Sequence, residues 1–131
     1  MTSCTSVSDK AVHDSSLWFD SEVCAGVRYK ISRISLGRRI ELARRVREIG
    51  RKAEFLEAGD DVRDKLEASV LQGEIDRTFL EWGLEAVEGL DIDREAATPG
   101  VLIERGPLAL AMEILGRIRG ECGLSEKERK N

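Results

Sequence analysis

At 131 residues and with no run of 18 apolar residues, the chain is sized for one domain and is not built to insert in a membrane. Charged residues make up 35% and aromatics only 5%, with Ala, Leu, Glu and Arg dominant, a balance that argues against a sandwich or barrel and for helices. The net charge of −4 is spread unevenly: from Arg28 to Lys52 there are ten basic residues against Glu41 and Glu48, a local +8, so the remainder carries −12. Such a block either meets a polyanion or is answered by the acidic part of its own fold.

Residues 1–16 are small and polar and bury too little to offset the entropy of ordering, so they read as a flexible N-terminal arm ahead of one α-rich domain over 17–124 and a charged end over 125–131. Leu17, Trp18 and Phe19 form a short sticky patch that docks on the body or on a partner, and Trp18 is a candidate partner contact. Val23, Ala25, Val27, Tyr29 and Ile31 alternate with more polar or smaller residues, the period of a half-buried strand. A lone strand is unstable, so its partner is sought near Glu88 to Ile92 or on another copy of the chain.

Ser35 is the expected N-cap of a first long helix, Leu36 to Glu57, whose Leu42, Val46, Ile49, Ala53 and Leu56 form one apolar stripe. The run from Ala58 to Asp61 supplies a stop and a new N-cap, which predicts a helical hairpin. The second helix, expected from Val62 to Glu88, carries two apolar stripes on opposite sides. Ala68, Leu71, Ile75, Phe79, Trp82 and Ala86 form one, and Val62, Leu66, Val70, Leu80, Leu84 and Val87 the other. The first is expected to take the first helix; the second is left for C-terminal helices, a second subunit or a partner. Glu67, Glu74, Glu81 and Glu88 recur every seven residues, as do Arg38, Arg45 and Lys52, and antiparallel packing predicts a ladder of Lys52 with Glu67, Arg45 with Glu74 and Arg38 with Glu81. At about 0.2 to 1 kcal/mol per exposed pair, it would set register more than stability.

Beyond Gly89, Thr98 and Pro99 predict an N-cap with proline at the first helical position, and Gly106 and Pro107 end that short helix and open another. Leu108, Ala111, Leu115 and Ile118 form the expected inward stripe of the last helix, with Leu110 and Ile114 beside it, and Ser125 with Glu128 forms a capping box on a final turn. The fold class is therefore mainly α: a long antiparallel hairpin plus C-terminal helices, with one or two short N-terminal or central strands.

Few residues suit catalysis. His13 is the only histidine and lies in the arm, so no Ser/His or Cys/His pair stands on a rigid element. Asp91, Asp93 and Glu95 open like a calcium loop, but Ala96 and Leu102 stand where such a loop needs Gly and a bidentate Glu. Cys4, Cys24 and Cys122 cannot all pair and have no zinc spacing, so a reducing cytoplasm is the simplest setting. No catalytic, metal or cofactor site is expected, and the chain reads as a non-enzyme. Arg44, Arg47 and Arg51 point away from the apolar stripe and stand outside the ladder; they are candidate contacts for an acidic protein surface or, in the alternative reading of a small nucleic-acid-binding regulator, for phosphate. The acidic net charge and the lack of interleaved aromatics count against nucleic acid. Leu66, Val70, Leu80 and Leu84 are the candidate apolar partner surface.

The stretch WGLEAVEGLDIDREAATPGVLIERGP from Trp82 to Pro107, with Ile34 to Arg39 and Gly123 to Arg129, resembles the tail assembly chaperone-like proteins of long-tailed phages and prophages. The resemblance covers about 100 residues and lends no catalytic residue, since that family has none. It implies a small helical factor of the host cytoplasm that keeps the long tape-measure protein soluble and helps tail proteins polymerise around it.

Overall fold

The structure, a computed structural model, describes residues 10–59 and 61–123. In chain order it runs β1 (Ser16–Asp20), β2 (Arg28–Ser32), α1 (Leu36–Glu57), α2 (Val62–Gly83), β3 (Leu84–Glu88), β4 (Asp91–Ile92), β5 (Glu95–Ala96), α3 (Pro99–Arg105) and α4 (Leu108–Glu121). It is mainly α, two long antiparallel helices joined to a small sheet and two shorter helices. The Ser125 and Glu128 capping box, Cys4 and most of the N-terminal arm lie outside the described residues.

The caps fall where the residue types place them. The Ser35 side chain accepts from the Arg38 N–H at 3.2 Å, that of Asp61 from Arg63 at 3.0 Å and that of Thr98 from Val101 at 3.2 Å, each satisfying an N–H that a helix start leaves orphaned. Leu36–Glu57 matches the expected first helix, with Leu42 and Ala53 buried and Val46, Ile49 and Leu56 half-buried.

The strands differ from expectation. The patch from Leu17 to Phe19 is itself an edge strand, antiparallel to β2 with Leu17 opposite Ile31 and Phe19 opposite Tyr29. Ser16, placed in the arm by the sequence, opens it. The expected strand from Val23 starts only at Arg28, because Ser21 to Val27 fold into a tight connection: the Ser21 hydroxyl oxygen accepts from the Cys24 N–H at 2.9 Å and the Val27 carbonyl from Ser21 at 2.8 Å. Gly26, at φ +85°, lies so close to Gly89 that a Cβ on Gly89 would sit 2.2 Å from the Gly26 carbonyl oxygen. The other partner of β2 is β3, with Arg28 opposite Glu88, so the pairing segment ends where Glu88 to Ile92 was expected to begin.

β3 is the larger correction, since the spacing predicts that the second helix runs on through Leu84 to Glu88. The helix stops at Gly83, where a Cβ would come within 2.8 Å of the Ile118 side chain, and the chain enters β3 directly. The seven-residue glutamate repeat runs on into Glu88, but Glu88 is a strand residue paired with Arg28 at 3.2 Å. The core lies beneath this junction: Tyr29, Ile31, Leu102, Leu110, Ile114 and Ile118 are fully buried, each aliphatic side chain contributing about 1.5 to 3 kcal/mol. On α4 the buried stripe is Leu110, Ala111, Ile114, Leu115 and Ile118. Leu108, expected inside, is exposed, because α4 is rolled to centre Leu110, Ile114 and Ile118 on the core.

Candidate interaction surface on the helical hairpin

The stripe from Ala68 through Leu71, Ile75 and Phe79 to Trp82 faces α1, as the spacing predicts. Leu42, Val46 and Phe79 line one cavity and Ile49 and Leu71 another. The charge ladder does not form. Among the described residues no ion pair joins Arg38, Arg45 or Lys52 to Glu67, Glu74 or Glu81. Arg38 bonds Glu41 at 2.8 Å and Arg45 reaches the same carboxylate at 3.3 Å, while Glu81 takes Arg77 at 3.2 Å. On α2, Glu74 and Glu81 stand about 100° round from the centre of the stripe that meets α1, so their carboxylates point tangentially past it. Arg38 instead locks the hairpin base, donating to the Trp82 carbonyl at 2.6 Å with its guanidinium 4.5 Å from the indole centroid.

The second stripe of α2 divides in two. Leu80 and Leu84 are buried, where α3 and α4 cover the C-terminal half of α2 and where Asp76 meets Arg119 at 2.5 Å and Arg77 meets Glu104. Leu80 and Leu84 are therefore core residues and not partner contacts. Val62, Leu66 and Val70, at 71%, 65% and 57% exposure, are uncovered, and Phe55 across the turn is 79% exposed. Among the described residues, the outer half of the hairpin is thus an arm held only by α1 on α2. Between its helices Glu48, Ile49, Arg51, Lys52, Phe55 and Leu71 line an open groove of about 750 Å³.

Arg44, Arg47 and Arg51 are all exposed and form no ion pair among the described residues. They lie along the solvent side of α1 with exposed Ile40 and Phe55, and Arg51 and Phe55 also reach the rim of the groove. Trp18 is exposed on the edge strand, with Arg28 stacked on its ring at 4.2 Å and Lys30 at 5.9 Å. No helix among the described residues is long and apolar enough to cross a membrane.

A second polar constellation, which sequence reasoning did not single out, sits where the β1 to β2 connection meets α4. Glu113 accepts from the Ser21 hydroxyl at 2.7 Å, the Glu22 N–H at 2.9 Å and the Tyr29 hydroxyl at 3.1 Å, and Arg117 donates to the Tyr29 oxygen at 3.1 Å. Burial pushes the Glu113 carboxyl up, but these donors outweigh it and hold the group below the usual glutamate value. Burial raises the Tyr29 hydroxyl, with Arg117 opposing and Glu113 reinforcing the shift. With its acceptor sites engaged by its own fold, Glu113 is a clasp on the connection rather than a poised base. Only the chain-distant contact between residues 21 and 113 reveals it; nothing local in the sequence does.

The remaining chemistry is sparse. His13 is exposed in the irregular segment before β1. Asp91, Asp93 and Glu95 belong to the β4–β5 hairpin, whose turn residues Asp93 and Arg94 have φ of 54° and 71°, and Asp93 is bound by Arg105 at 2.7 Å. Cys24 and Cys122 are free thiols, and burial pushes Cys122 up. No group of three or more His, Cys, Asp or Glu among the described residues is arranged to hold a metal ion. No family model, no curated protein and no solved structure matches this chain.

Proposed function

We propose that this protein is a non-enzymatic assembly adaptor that holds a helical segment of another protein against the outer half of its hairpin. One observation carries the reading: the second apolar row of α2 is covered at its inner end, where Leu80 is buried, but among the described residues not at its outer end, where Val62, Leu66 and Val70 stand in solvent on an arm that also has an open groove between α1 and α2. Apolar residues repeated along a projecting helix are the complement of an amphipathic client helix, which docks by anchors three or four residues apart. Arg51 and Lys52 at the groove favour a client with acidic flanks.

The resemblance to tail assembly chaperone-like proteins narrows the client to a tape-measure or other tail protein of a phage or prophage, bound in the host cytoplasm before it is packed. Co-expression with a tape-measure protein tests this. The expected result is a soluble complex recovered through the adaptor and weakened by Leu71→Asn or Val70→Asn; an insoluble client and no complex would reject it.

A further inference from the structure

The two outer edges of the hairpin carry opposite and matching chemistry. The edge of α1 presents Arg44, Arg47 and Arg51, with no ion pair among the described residues, and ends in exposed Phe55. The edge of α2 presents exposed Val62, Leu66 and Val70, flanked by exposed Glu67 and Glu74, which likewise form no ion pair among the described residues. We propose that copies of this chain assemble head to tail, the basic outer edge of α1 in one copy seating on the apolar, acid-flanked outer edge of α2 in the next.

The spacing supports a second copy over any other occupant. Arg44 and Arg51 are seven residues apart and so are Glu67 and Glu74, about 10 Å along each helix. An antiparallel α1 from a neighbour therefore brings Arg51 to Glu67 and Arg44 to Glu74 in a single register. That register lies close to the one the hairpin uses internally, where Arg38 meets Trp82. In it the Arg47 stem lies along Val70, and Phe55 meets Val62 and Leu66, so arginine methylenes and a phenyl ring cover the aliphatic row while the guanidinium groups reach the flanking carboxylates.

The edges lie on opposite sides of the hairpin, so the contact is heterologous: each copy uses one edge as donor and the other as acceptor, and the chain of contacts closes as a ring or extends as a filament. The row of Val62, Leu66 and Val70 is also the face a client helix would use, and Arg51 and Phe55 line the groove as well, so the next copy and a client compete for the arm, and self-assembly is read with no client present.

Sedimentation velocity of the purified protein over a range of concentrations, at low and at physiological salt, tests this without any client. The expected result is a mass that climbs beyond a dimer with concentration and falls as salt is raised. Arg44→Glu with Arg51→Glu is expected to give a monomer, and so is Glu67→Arg with Glu74→Arg. An equimolar mixture of the two variants regains assembly, because the reversed α1 of one then faces the reversed α2 of the other. Leu66→Asn, on a residue already in solvent, also gives a monomer, and circular dichroism confirms that each variant keeps its helices. A wild type that stays monomeric at all concentrations, a closed dimer that neither charge variant disturbs, or a mixture that fails to recover would each overturn the proposal. A wild type that stays monomeric but shifts duplex DNA through the same arginines would overturn it too and assign the edge to phosphate.

Discussion

At its C-terminal end α2 buries Phe79, Leu80 and Trp82 and finishes with Gly83 pressed against Ile118, whereas at its N-terminal end Val62, Leu66 and Val70, on the same side as Leu80, stand in solvent. One helix thus has a half packed into the body and a half that stands in solvent. What separates them is supply. α3 and α4 reach the level of Asp76 and Arg77, where Arg119 and Glu104 make their contacts, and with only seven and 14 residues they cover the inner half of α2 alone. Apolar periodicity marks a face that wants cover; the length of the other elements decides whether the chain provides it.

Substitutions sharpen this contrast, and the largest expected effect lies in the body. Ile114→Ala, fully buried beneath the sheet, is expected to destabilise the fold by about 2 to 5 kcal/mol, read by chemical denaturation. Glu113→Gln is expected to cost about 1 to 2 kcal/mol by weakening the clasp on the β1 to β2 connection. Because Glu113 has a lowered pKa, its stabilisation is present above the ordinary glutamate value and disappears as pH falls through the folded value. Wild type and variant should therefore converge in stability on acidification from neutral pH, and a constant gap would refute the clasp. Leu66→Ala, in the exposed half, should shift stability by no more than about 0.5 kcal/mol while weakening the proposed association; a large loss of stability would mean that the arm is covered. Smallest of all, a double-mutant cycle on Arg45 and Glu74 should give a coupling within about 0.3 kcal/mol of zero, since Arg45 is held by Glu41.

The helical hairpin was legible because its signals are local: Ser35, Asp61, Thr98 and Pro99 announce helix starts through their own side chains, and the α1 stripe repeats from Leu42 to Leu56 along a 22-residue helix. β3 was not, since Leu84 to Glu88 satisfies a helical repeat as well as a strand, and the choice is made by Gly83 against Ile118 and by Arg28 opposite Glu88, contacts between distant parts of the chain. The same limit hid the Glu113 clasp, and it misled the ladder, where seven-residue spacing fixes which residues share an edge but not whether that edge points at its partner. Of the candidate contacts, Leu66, Val70, Arg44, Arg47, Arg51 and Trp18 remain exposed, Trp18 with Arg28 stacked on it, while Leu80 and Leu84 became core.

The direct passage from α2 into β3 has a geometric consequence for the far end of the arm. With no loop at Gly83 to absorb rotation, the azimuth of α2 about its own axis is set by the pairing of β3 with β2 and transmitted rigidly along the helix. The compass direction in which Val62, Leu66 and Val70 point is thus fixed about 30 Å away, in the sheet. Inserting one residue into α2 between Gly73 and Asp76 would turn that row by about 100° and send it away from whatever it is meant to meet.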